Sequence, residues 1–198
     1  MLKDYRYDKG KKPWRQTKST QNNVIERFWP ELNSRVNYPI KRAMLQISDA
    51  EEYDMTDPVV KYCFSWLTIF VAKDATQHLL QSWNHHRVQG PDGCVPIQNM
   101  IETKRTVNLI EPLIPTTPEA VRMYEELGGT LTRDSRFGYD PLGAVEHTYE
   151  SRLVLFHQNQ PTGKELFRNI VHGDFFLLER AVEYFYRLTI DLGNNFGL

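Results

Sequence analysis

The chain has 198 residues, 40% of them hydrophobic and 25% charged, with a formal net charge of −1 at pH 7. This is the composition of an ordinary soluble globular protein, one domain or a domain with an extension, and it excludes a chain-wide basic surface for nucleic acid. Two cysteines, Cys63 and Cys94, cannot build a disulfide framework and have no Cys or His partner at zinc-finger spacing, which fits a reducing compartment.

The N-terminus is charged with no apolar core behind it, so it does not read as a signal peptide. Residues 3 to 18 carry seven Lys/Arg against two Asp, the sharpest charge asymmetry in the chain. They read first as a solvated tail; as a local phosphate-contacting surface they offer Lys11 and Lys12. Next, Val24, Ile25, Phe28, Trp29, Leu32 and Val36 recur at the spacing of one helical face, with Ser19 and Thr20 as N-cap hydroxyls ahead of them. Pro30 removes a hydrogen bond inside that segment and predicts a kink or break near Trp29. Pro39 is expected to end it, and Ile40 to Tyr53 reads as a second short helix.

Asp57-Pro58 is a helix start, a capping carboxylate followed by proline. The apolar series Val59, Cys63, Trp66, Leu67, Phe70, Val71, Leu79 and Trp83 predicts a long central helix, with Phe64, Trp66 and Phe70 in the core rather than forming a base-stacking platform. Gly90 to Gly93 is a turn, and Pro96 to Met100 restarts a short apolar stretch. Leu109 to Thr117 reads as a connector, and Thr117-Pro118-Glu119 opens a helix that Gly128-Gly129 closes. Thr130 to Thr148, including the text FGYDPL, is loop-like. Arg152 to His157 (RLVLFH) is the one passable strand, and helices are expected over about Gly163 to Val171 and Asp174 to Leu192. No apolar run approaches the roughly 20 residues that span a membrane, so no membrane partner is expected, and the location reads as nuclear or cytoplasmic rather than secreted.

Three blocks of text carry a resemblance. Ser19 to Trp29 (STQNNVIERFW) matches an S-x-x-N-x-x-I-E-R-x-W signature, Trp83-Asn84-His85-His86-Arg87 a W-N-x-H block, and Gly93-Cys94-Val95-Pro96-Ile97 the glycine-to-proline turn after it. In this order and spacing the chain resembles the DDE-type integrase core of transposable elements, over roughly residues 15 to 102; text like Arg35 to Lys41 (RVNYPIK) follows the glutamate helix in such proteins. The resemblance implies a basic N-terminal segment over 1–18, a partial integrase core over 19–102 and a C-terminal helical extension over 103–198. The fold it implies is mainly α: the C-terminal helical part of an RNase H-like α/β core, with the strands largely missing.

Integrase-type enzymes cut and join phosphodiesters with two Mg²⁺ or Mn²⁺ ions held by carboxylates. The family supplies two strand-borne Asp and one helical Glu. Glu26 matches the third position, so the resemblance makes it both catalytic residue and metal ligand. The second Asp lies about 35 residues before the Glu in the family, which falls ahead of Met1 here. One carboxylate does not hold a metal pair, so no cofactor is expected to bind this chain tightly and strand transfer is not expected. Asn22, Arg27 and Arg35 are the DNA-facing positions the resemblance implies, each also readable as a plain solvated helix residue. His85 and His86 lack partner ligands at usable spacing. The function implied is that of a partial integrase, a gene fragment or domesticated remnant, with DNA as a weak partner. The rival is a non-catalytic helical interaction module. Helix stripes without their sheet must be covered by the C-terminal helix over Phe175 to Leu192, self-associate or stay loosely packed, and the last two are the favoured expectation.

Overall fold

The computed structural model describes residues 23–50, 53–88, 93–103, 115–131, 137–143 and 148–195. They are mainly helical, and no strand occurs among the described residues. None of the described helices is long and apolar enough to cross a membrane.

The first helix, α1 (Asn23–Leu32), contains Pro30 and does not break at Trp29. The irregularity comes just after it: Asn33–Asn37 form a π-turn, in which the Tyr38 N–H donates to the Asn33 carbonyl five residues back. The chain then continues directly into α2 (Tyr38–Asp49). Pro39 therefore does not end the segment. It is the second residue of α2, where its fixed φ suits a helix and its missing N–H falls at the change from five-residue to four-residue register. α2 buries Ile40, Ala43 and Ile47 along one face.

α3 (Pro58–His85) starts where the Asp-Pro pair places it, the Asp57 carboxylate accepting the Val59 N–H at 2.7 Å. Cys63, Leu67, Val71, Ala75 and Leu79 are buried every fourth residue, one row down the helix. Trp66 and Phe70 flank that row and stack on each other, and Trp66 stacks on Phe185 with centroids 4.1 Å apart.

The turn expected over Gly90 to Gly93 lies almost wholly outside the described residues; α4 spans Pro96–Thr103, and α5 (Thr117–Glu126) is opened by a capping box between Thr116 and Glu119. Gly128, at φ 85°, closes α5 with its N–H on the Glu125 carbonyl.

Residues 152 to 157, read as a strand, lie inside α6 (Thr148–Asn159). Thr148, Arg152 and Phe156 are buried while Val154 is exposed, a period of four rather than two. A short apolar run does not distinguish the two periods by itself. α7 (Gly163–Val171) occupies the expected span, and α8 (Phe176–Asn195) begins two residues after Asp174, whose carboxylate accepts the Phe176 N–H.

The chain forms two compact units, Met1–Glu26 with Ser82–Arg133, and Arg27–Gln81 with Asp134–Leu198. They are interleaved in sequence. In the second unit α2 lies against α7, and both α6 and α7 lie against α8. Phe156, Leu166, Ile170, Leu178, Val182 and Phe185 join Leu67 and Val71 in one core. The apolar row of α3, expected to stay uncovered without a sheet, is covered by helices that the resemblance had made a separate extension. Helix-on-helix packing takes the place of helix-on-sheet.

Candidate functional site

Of the residues implied by the resemblance, Glu26, Arg27 and Arg35 lie among the described residues. Glu26 and Arg27 are adjacent exposed residues of α1. Arg35 is exposed in the π-turn and pairs with Glu31 one turn earlier, which satisfies part of its charge locally. Asn22, Lys11 and Lys12 lie outside the described residues. Among the described residues no group of three or more His, Cys, Asp or Glu is placed to hold a metal ion.

The second and third resemblance blocks do meet. After α3 ends at His85, the Arg87 guanidinium donates to the Gly93 carbonyl at 2.9 Å, and the Val88 N–H donates to the Cys94 carbonyl at 3.1 Å. These bonds tie the WNHHR and GCVPI texts together. His86 is held by the Ser82 carbonyl 2.6 Å from Nδ1.

The densest polar chemistry lies elsewhere, at Arg152. The guanidinium is fully buried and grips Asp140 with both ends, Nη1 to Oδ1 at 2.9 Å and Nη2 to Oδ2 at 2.6 Å. Nη2 also donates to the Tyr62 hydroxyl at 2.8 Å, and Nη1 reaches Thr189 Oγ1 at 3.4 Å. The cation lies 5.2 Å from the Tyr62 ring centre and 5.1 Å from that of Phe185. Its Nε has no hydrogen-bond partner.

The segment carrying Asp140 is positioned by backbone chemistry. Gly138 has φ 82°, and any Cβ there would strike the Pro58 carbonyl and the Tyr62 N–H, so glycine is required. Tyr139 N–H donates to that Pro58 carbonyl at 2.9 Å, and Asp140 Oδ1 accepts the Leu142 N–H at 3.1 Å. The 137–143 segment is thereby fastened to α3, α6 and α8.

Burial alone would raise the Asp140 pKa, but the Arg152 hydrogen bonds and charge, with the Leu142 N–H and Tyr62, outweigh it and hold the carboxyl below its ordinary value. Burial likewise works against charge on Arg152, and Asp140 reverses it. Burial pushes the Tyr62 phenol well above its usual range and the Cys63 thiol up to about 12. At neutral pH the cluster is an ion pair with a protonated phenol and a protonated thiol, so Cys63 does not present a thiolate nucleophile. The arrangement is that of a buried clip. The sequence carried one sign of it: an arginine at the head of an apolar run, in RLVLFH, has to find a partner if the run is buried.

Comparison with known proteins finds no matching family model, no matching curated protein and no matching solved structure.

Proposed function

We propose that this chain is a partial integrase-core protein of transposable-element origin, with a lineage role in DNA integration and nucleic-acid binding and no strand-transfer activity of its own. The observation that carries the reading is the ordered text STQNNVIERFW, WNHHR and GCVPI, of which the last two are joined by two hydrogen bonds. Glu26, exposed on α1 next to Arg27, stands at the position of the family's helical carboxylate. Bound Mg²⁺ or Mn²⁺ would supply charge neutralisation at a scissile phosphate; within these 198 residues Glu26 is the one member of the metal-binding set that the resemblance identifies. DNA contact in this reading is electrostatic and local, through Lys11, Lys12, Arg27 and Arg35.

Two measurements test this. Genomic sequence immediately upstream of the Met1 codon is expected to hold reading frame, intact or decayed, for two further aspartates, the second about 35 residues before Glu26. Upstream sequence with no integrase-like text overturns the lineage. The purified chain with Mg²⁺ or Mn²⁺ is expected neither to nick nor to join DNA; divalent-dependent cleavage lost in Glu26→Gln would show a complete centre instead.

A further inference from the structure

In the second unit α2 and α3 share the core through Ile40, Ala43, Ile47, Phe64 and Leu67, and a groove lies between them at the surface. The groove has a volume of about 520 Å³ and runs along residues 37 to 48 of α2 and 61 to 72 of α3. Twelve residues on each wall give a trough on the order of 18 Å long. Its surface is apolar and open: Ile69 is 66% exposed, Phe137 63% and Leu45 49%. Met44 and Met55 add side chains that adapt to a partner's shape. Such a set of large apolar residues, contiguous and uncovered, marks a binding surface rather than ordinary scatter.

Charge selects the occupant. Lys41 stands on one wall and Lys61 on the other, and among the described residues no carboxylate lines the groove. Asp54 lies near enough to Lys61 to feel its charge, but it is held chiefly by the Thr56 hydroxyl and N–H. We propose that this groove binds an amphipathic helix of a partner protein, with apolar residues at i, i+3, i+4 and i+7 along its floor and Asp or Glu on the flanks facing Lys41 and Lys61. The trough's length and its helical walls suit a helix, which lays one row of side chains between them. The chain's own residues 3 to 18, with seven Lys/Arg against two Asp, carry the wrong charge to fill it. The inference is independent of the DNA-integration reading, since no resemblance residue takes part apart from the α2 text.

The test pans a displayed library of amphipathic helices with randomised flanking positions against the full chain, and against Ile69→Glu. Ile69 is mostly exposed, so the variant is expected to keep the far-ultraviolet circular dichroism of the parent. Helices with acidic flanks are expected to enrich about tenfold over those with basic flanks, the yield of two surface ion pairs. That enrichment is expected to vanish on Ile69→Glu, and Lys41→Glu with Lys61→Glu is expected to reverse the flank preference. No enrichment over Ile69→Glu, or enrichment indifferent to flank charge, overturns the proposal. Concentration-dependent self-association abolished by Ile69→Glu would also overturn it, by assigning the groove to a second copy of this chain.

Discussion

Arg152 and Asp140 show how one pair of side chains decides the placement of a whole segment. Removing one partner of a buried pair leaves the other charged and without compensation, which costs about 3 to 5 kcal/mol. Arg152→Met is expected to lose that amount in urea denaturation at neutral pH, because Asp140 and Tyr62 lose their donor. Joining it to Asp140→Leu is expected to recover part of the loss, so the double variant falls short of the sum of the singles. The pH dependence has a definite sign. The folded Asp140 carboxyl sits below its ordinary 3.8, so its contribution is complete above that value and is lost as pH falls through the lower folded value. Parent stability should fall more steeply than that of Asp140→Leu across this acidic window; parallel curves would mean that the pair contributes nothing. Neither residue stood out in sequence as half of a pair, since they are 12 apart and the contact depends on how Gly138 docks on α3.

At the scale of elements, the spans that were legible are those with chemical punctuation. Asp57-Pro58 starts α3, Thr117-Pro118-Glu119 with Gly128-Gly129 bounds α5, and Gly163 to Val171 is α7. These signals are local, because a cap satisfies orphan N–H groups without reference to the rest of the chain. In α7 the Thr162 hydroxyl accepts the Glu165 N–H, and Glu165 answers with its carboxylate on the Thr162 N–H at 3.0 Å. Thr162→Ala is expected to cost about 1 kcal/mol and to speed hydrogen exchange in the first turn of α7 before that of α3. Equal change in both helices would mean that the cap acts on global stability alone. Where punctuation was absent or ambiguous, the reading went astray. α6 has no such cap in its text, and its RLVLFH run is helical because Arg152 and Phe156 share one buried face. Pro30 does not break α1 at Trp29 and Pro39 does not end the segment; the irregularity is a π-turn between them, whose form depends on the hydrogen-bond register.

For the whole molecule, the consequence lies in the cover that α6, α7 and α8 give to α3. Leu67 and Val71 share a core with Phe156, Leu166 and Phe185, all fully or almost fully excluded from solvent. Each large apolar side chain uncovered forfeits roughly 1.5 to 3 kcal/mol, and a few of them equal a domain's net stability of roughly 5 to 15 kcal/mol. A fragment ending at residue 102 is therefore expected to lack a cooperative thermal transition and to bind a dye specific for exposed apolar surface. The full chain is expected to unfold cooperatively. Cooperative unfolding of the fragment would restore the division into a core and a separable extension.

The residues themselves determined the helical character, the place of most helix ends and which faces are apolar, since periodicity and capping act within a few residues of one another. They also hold the three blocks of integrase-like text on which the functional proposal stands. Tertiary structure decided what covers those faces, the pairing of Arg152 with Asp140, and the groove between α2 and α3. Each of these joins residues of different elements. An apolar stripe states that it must be buried and leaves open against what; the partner is chosen by packing, where shape and the satisfaction of buried polar groups are settled together.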